Sequence, residues 1–411
     1  MFTEIILFAI GLIILAGYIA EFLFQKLHIP DSLFLIGIGF LLGPHILHLG
    51  NGVSFTKIAP VFTTFTLVFI MFVGATKIDI KTFLHSISYA SKSALINFLI
   101  SSLFITIVFT AFGYSIIISV FLGFSLSGLS AAFVIPLITQ LKLDKKDKFL
   151  FNVLTIESAL TDVFSIVFAV TMLNLVLEKN LNIQTIISQF VYLFIIAGIV
   201  GLISSAFIIY LDMKHFRSEK NYMIMVAVIL ITYFLTEFLH GSGVIAVMFL
   251  GVGLNNAPLL TSMFFAIEKI FKPKASHPVI KMKALTKREK MFYDEISFFL
   301  KTFFFVYIGM MLNISNLKVL GITIICALSM LTARYTSTIL MKDIPSKAKD
   351  LLISMYARGL AAAALIQIAY ERELIKEKLL LETSYCIITA SIVLSSIHIF
   401  IIKKRLAEEN R

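Results

Sequence analysis

Residues 157–162 read Glu-Ser-Ala-Leu-Thr-Asp, two carboxylates and two hydroxyls inside an otherwise apolar stretch long enough to cross a bilayer. A charged side chain at the bilayer centre costs roughly 2.5–3.5 kcal/mol on insertion scales, so Glu157 and Asp162 must be neutralised or used. Their types set the chemistry. Carboxylate and hydroxyl oxygens are the ligands a hard cation takes, and a carboxylate also takes a proton. On a helix Ser158 and Asp162 share one face, and Glu157 and Thr161 share another. Five residues turn a helix by about 140° net, so the two carboxylates point apart.

Depth separates their roles. With the span starting near Lys148 on the inner side, Glu157 lies roughly 13 Å in and Asp162 roughly 21 Å in. Arg334, in a span that ends near Lys342, lies roughly 12 Å from the same side. Glu157 and Arg334 therefore read as a structural ion pair, because either charge alone would be buried without a partner. Asp162 is left as the working carboxylate and the ligand of a small alkali cation. Ser158 and Thr161 add oxygens, and unwound backbone carbonyls add more. The bland alternative for Asp162 is a second buried pair with Arg358. Arg358 itself either offsets the negative C-terminal ends of broken helices or snorkels to the inner surface. Lys301, near the start of its span, reads as a snorkelling residue, and Glu237 and His240 as solvated rim residues.

The elements that position these groups follow from composition. The 411 residues are 59% apolar and 14% charged, with mean hydropathy +0.97, which no soluble globular domain needs. The apolar runs are continuous rather than alternating, which excludes a closed barrel. The fold class is an all-α polytopic membrane protein with about thirteen spans: 2–24, 30–48, 58–76, 88–111, 115–140, 149–176, 184–211, 221–239, 242–256, 296–313, 318–340, 351–370 and 382–402. One long basic loop, 257–294, separates the ninth from the tenth. With the N-terminus outside, 26 basic residues fall in inner loops, 6 in outer loops and 3 within spans, the bias expected of a correctly counted chain. The net charge of +11 is then a loop property and implies no nucleic-acid partner. Nothing before Lys26 resembles a secretory leader. Cys326 and Cys386 read as small core residues.

The fifth and twelfth spans carry similar runs of small residues, Ser125–Ala132 and Ala357–Ala364. They lie seven spans apart, hence in opposite orientation, as an inverted repeat requires. Gly74 with Asp79 and Gly309 with Asn313 form a second pair at the same offset. The reading is one transmembrane domain of two inverted repeats, about 2–176 and 221–402, joined by the span 184–211, with the fifth and twelfth helices broken where they cross.

The chain resembles the prokaryotic sodium/proton antiporters of the monovalent cation/proton antiporter superfamily over about residues 5–402. The resemblance is carried by Leu-Leu-Gly-Pro at 41–44, Phe-Val-Gly-Ala-Thr-Lys-Ile-Asp at 72–79 and Phe-Phe-Phe-Val-Tyr-Ile-Gly-Met-Met-Leu-Asn at 303–313. Its most specific part is Glu157-Ser158 followed by Thr161-Asp162. It implies that Asp162 binds the cation and the proton in turn, that Glu157 and Arg334 match the family's buried glutamate and basic residue, and that Arg358-Gly359 match its Arg-Gly pair. The position before the carrier aspartate holds aspartate in electrogenic members and usually asparagine in electroneutral ones. Thr161 stands there and carries no charge, which implies one-for-one exchange. Many electroneutral members have Thr-Asp-Pro in the fifth span. Leu129-Ser130-Ala131 stands there instead, so Ser130 would take over that ligand or structural role. The resemblance further implies sodium or lithium exchanged for protons without a cofactor. It also implies a homodimer among membrane lipid, and a cell-membrane location with the C-terminus cytoplasmic.

Other classes stay in view. Potassium/proton exchange or potassium efflux would use the same site, and ion competition separates them. A channel or sensor on the same fold would show no proton coupling. An enzyme is disfavoured: no nucleophile–base pair or phosphate loop occurs in the spans, and His28, His45 and His48 fit no zinc spacing.

Overall fold

The computed structural model describes residues 2–27, 31–43, 55–76, 80–131, 133–134, 148–178, 183–213, 221–262, 285–314, 316–340 and 346–409. Among them every regular element is an α-helix. In lipid, backbone N–H and C=O groups need partners inside their own segment, and a helix supplies them. In chain order the helices are α1 (Phe2–Leu27), α2 (Asp31–Leu42), α3 (Phe55–Ala75), α4 (Ile80–Ala111), α5 (Ile116–Ser125), α6 (Lys148–Glu178), α7 (Ile183–Met213) and α8 (Asn221–Phe238). They continue as α9 (Gly243–Asn255), α10 (Lys287–Met310), α11 (Leu317–Leu340), α12 (Ser346–Ser354), α13 (Leu360–Glu371) and α14 (Lys378–Glu409). Each apolar segment read from the sequence overlaps one of these, and the twelfth overlaps two. By length and composition α4, α6, α7, α11 and α14 contain stretches able to cross a membrane.

Several boundaries differ from the sequence reading, two helix starts by eight and nine residues. α4 begins at Ile80, not near residue 88. α10 begins at Lys287, nine residues earlier than expected, which shortens the long basic loop. The reason for the second is local. Thr286 and Glu289 form a capping box, with Glu289 N–H donating to Thr286 Oγ1 at 3.3 Å and Thr286 N–H donating to Glu289 Oε2 at 2.6 Å. The pair satisfies two orphan donors and starts the helix among charged residues. Asp79, His28, His45, His48, Pro44, Lys142, Lys145 and Lys146 lie outside the described residues.

The chain forms two compact units, each assembled from distant segments. One comprises residues 1–66, 86–182 and 298–411, the other residues 67–85 and 183–297. In the smaller unit the helix ends at one rim are closed by side chains. Lys290 Nζ donates to Asn255 Oδ1 (2.9 Å) and Thr76 O (3.3 Å), placing a cation where the C-terminal ends of α3 and α9 are negative. Ile80 N–H donates to Asn256 Oδ1 at 2.9 Å, capping α4. Glu237, at the opposite end of α9, accepts the Gly243 N–H at 2.8 Å and does a cap's work there.

Among the described residues the buried charged side chains all lie in the larger unit. Within it α6 is the most enclosed span, with 76% of its crossing stretch buried, so its polar side chains must find partners inside the protein. Lys301 is not a snorkelling residue. Its Nζ meets Asp31 Oδ2 at 2.5 Å with both side chains mostly buried, because Asp31 in the first turn of α2 lies within its reach. That pair ties α10 to α2.

Candidate ion-binding site

Two helices of the larger unit stop and restart within it. α5 ends at Ser125, residues 126–130 are not helical, and helical backbone resumes at Ala131. α12 ends at Ser354, residues 355–359 are not helical, and α13 begins at Leu360. The two interruptions touch. Ser130 N–H donates to Ala357 O at 2.9 Å. Gly359 packs so closely on the Ser130 hydroxyl that a Cβ there would overlap it. Non-helical backbone at this depth is tolerated only where protein groups satisfy it, and each stretch does so for the other.

Arg358 sits in the second interruption, fully buried, so it does not snorkel. Its Nη1 donates to Ser127 O at 2.6 Å and its Nη2 to Ser101 Oγ at 3.1 Å, while its own N–H donates to Ser391 Oγ at 2.9 Å. Ser127 lies just past the C-terminal end of α5, where unpaired carbonyls carry partial negative charge. Pairing with Asp162 is not what the guanidinium does: no ion pair joins the two among the described residues.

Glu157 and Arg334 are in bidentate contact and almost wholly buried. Nη1 meets Oε1, Nη2 donates to Oε2 at 3.0 Å, and Nε donates to Leu352 O at 2.7 Å. All of this joins α6, α11 and the last turn of α12.

Asp162 is buried beside the first interruption, its Oδ1 3.2 Å from the point where a Cβ of Gly128 would stand, and it lies close to the Ala131 backbone. Ala131 is where the helical backbone resumes, an N-terminal end with unsatisfied N–H groups that favours an anion. Thr161 faces the same interruption. Its hydroxyl accepts the Leu129 N–H at 3.0 Å and donates to Glu157 O at 2.9 Å. Ser158 Oγ donates to Thr155 O at 3.0 Å. Ser130 Oγ accepts the Phe133 N–H at 3.3 Å, capping the resumed helix. A hydroxyl has one proton and two lone pairs, so each of the three retains an acceptor position for a cation.

Sequence reasoning missed three groups. Asn97 and Ser101, one turn apart on α4, link Arg358 further, with Ser101 Oγ donating to Asn97 Oδ1 at 3.4 Å. Ser165 stands beside Asp162, both approaching the bare Cα of Gly128. The signal was present, since Ser158, Asp162 and Ser165 have the four- and three-residue spacing of one helix face.

A family model described as "Sodium/hydrogen exchanger, transmembrane" matches residues 10–405. Among solved structures the fold is similar to that of the sodium proton antiporter MjNhaP1 from Methanocaldococcus jannaschii at pH 8. The TM-score is 0.76 and the identity 20%, over 97% of this chain and 99% of that one. No curated protein matches the chain. With the family model covering nearly its whole length, the chain is a multi-pass membrane protein that belongs to the sodium/hydrogen exchanger family.

Proposed function

We propose that sodium/proton exchange runs in this chain through a single carboxylate, Asp162, one Na+ for one H+. The observation that carries this is a buried carboxylate with no ion-pair partner among the described residues, set against the backbone where a helix is interrupted. The other buried carboxylate of α6 is committed to Arg334. Asp162 is the group left to bind a mobile charge, and it takes either a proton or a cation. Ser158, Thr161 and Ser130 lend oxygens to the cation, as hard-cation coordination requires. Glu157 with Arg334 and Arg358 with Ser127 hold the frame. A carboxylate carrying neither load resists passage across an apolar barrier. That restriction couples the two fluxes in an alternating-access cycle. Potassium is the less favoured substrate.

The same reading places the protein in the cell membrane, with the N-terminus outside and the C-terminus cytoplasmic, supported by the basic-residue bias. It treats the chain as one transporter domain of two inverted repeats that works as a homodimer. The test uses proteoliposomes with an internal pH dye and an imposed pH gradient, to which sodium, lithium or potassium chloride is added. Sodium-triggered dissipation that disappears in Asp162→Asn is the expected result. Normal exchange by Asp162→Asn would remove Asp162 from the mechanism, and a response to potassium alone would change the substrate.

A further inference from the structure

We infer that Ser165 is a further ligand of the cation carried by Asp162, and that the absence of a side chain at Gly128 keeps its hydroxyl and that carboxylate open to one ion. The inference rests on Asp162 being the carrier.

Three observations carry it. First, Ser165 is fully buried on α6 and three residues beyond Asp162, on the same helix face. Second, its Oγ has no hydrogen-bond partner among the described residues. The hydroxyls of Ser158 and Thr161 donate to carbonyls one turn back, the default for a serine or threonine in a helix. Ser165 departs from that default, and a buried hydroxyl without a partner is disfavoured. Third, the point where a Cβ of Gly128 would stand is 2.7 Å from Ser165 Oγ, 3.2 Å from Asp162 Oδ1 and 3.2 Å from Thr161 O. A hydroxyl, a carboxylate and a carbonyl thus converge on one face of a residue without a side chain. Any larger residue at position 128 would fill the approach to all three.

The chemistry suits a small monovalent cation. An all-oxygen set with one negative charge neutralises a single positive charge, and the neutral oxygens replace water of hydration without adding charge. Ser165 adds affinity and discrimination by size while leaving the one-for-one stoichiometry untouched.

The test compares Ser165→Ala, Ser165→Thr and Asp162→Asn in proteoliposomes, with initial rates measured over a series of sodium and lithium concentrations. Sodium-dependent thermal stabilisation of each purified protein is measured alongside. Loss of one charge-directed oxygen should raise the apparent KM of Ser165→Ala for sodium about tenfold. The maximal rate should stay within about twofold, the lithium-to-sodium preference should change, and sodium should stabilise the variant less. Ser165→Thr, which keeps the hydroxyl, should restore the KM. An unchanged KM and unchanged stabilisation in Ser165→Ala overturn the inference. So does a fall in maximal rate with KM unmoved, which marks a packing role. If Asp162→Asn is inactive while Ser165→Ala behaves as wild type, only this inference fails. If Asp162→Asn still exchanges, the carrier assignment fails with it.

Discussion

Removing the Glu157 carboxylate would leave the Arg334 guanidinium, 1% exposed, without a counter-charge. Breaking one member of a buried pair costs about 3–5 kcal/mol, whereas replacing both with apolar groups is often nearly neutral. Glu157→Gln should therefore lower the melting temperature in detergent by many degrees. A double variant, Glu157→Leu with Arg334→Met, should recover most of that loss, and recovery of none would show that the pair does more than neutralise charge. Much of this was readable from the chain, because helical rise alone sets the two residues at one depth. The bond from Arg334 Nε to Leu352 O was not readable, since a carbonyl acceptor leaves no mark in residue type. Ser165 was readable by spacing, but a lone serine in an apolar helix is ordinary. Its lack of a partner, shared with Thr155 and Thr171 on α6, sets it apart only together with its place beside Asp162 and Gly128.

At the scale of elements, the two interrupted helices depend on each other, and the closest point is Gly359 against Ser130. Gly359→Ala would drive a methyl into the Ser130 hydroxyl, displace the cap of the resumed helix, and strain the bond from Ser130 N–H to Ala357 O. Losing a cap costs about 1 kcal/mol, and the displaced backbone belongs to the interrupted segment that packs beside Asp162. The expected result is a small loss of thermal stability with a large loss of exchange. Equal and small losses of both would mean that the contact is not coupled to the ion site. The runs of small residues lie where these helices are interrupted, whereas the Thr286-x-x-Glu289 spacing at the start of α10 is not read from the sequence, since charged residues there mask the helix. The contact between Ser130 and Ala357 joins segments remote in sequence through backbone atoms, so no pattern along the chain announces it.

For the whole molecule the question is how much charge crosses per cycle. Glu157 and Arg334 sum to zero, and Arg358 is fixed on Ser127 and Ser101. What remains is Asp162, and its neighbour Thr161 has a hydroxyl already engaged by Leu129 and Glu157 and no charge to add. On the proposed reading, one Na+ or one H+ on Asp162 gives the same net charge, so the two half-cycles would carry equal charge in opposite directions. The sodium gradient reached at equilibrium should then equal the imposed proton gradient, whether the membrane is clamped at zero or at about 100 mV. An uncompensated elementary charge moved through 100 mV is worth about 2.3 kcal/mol, which would displace the equilibrium sodium ratio about fiftyfold. End-point sodium content of proteoliposomes clamped with potassium and valinomycin reads that displacement directly. A fiftyfold shift would mean that a second group titrates in the cycle, with Glu157 the first to examine because it is the other carboxylate buried in α6. A ratio indifferent to the potential would leave one carboxylate as the carrier of both ions.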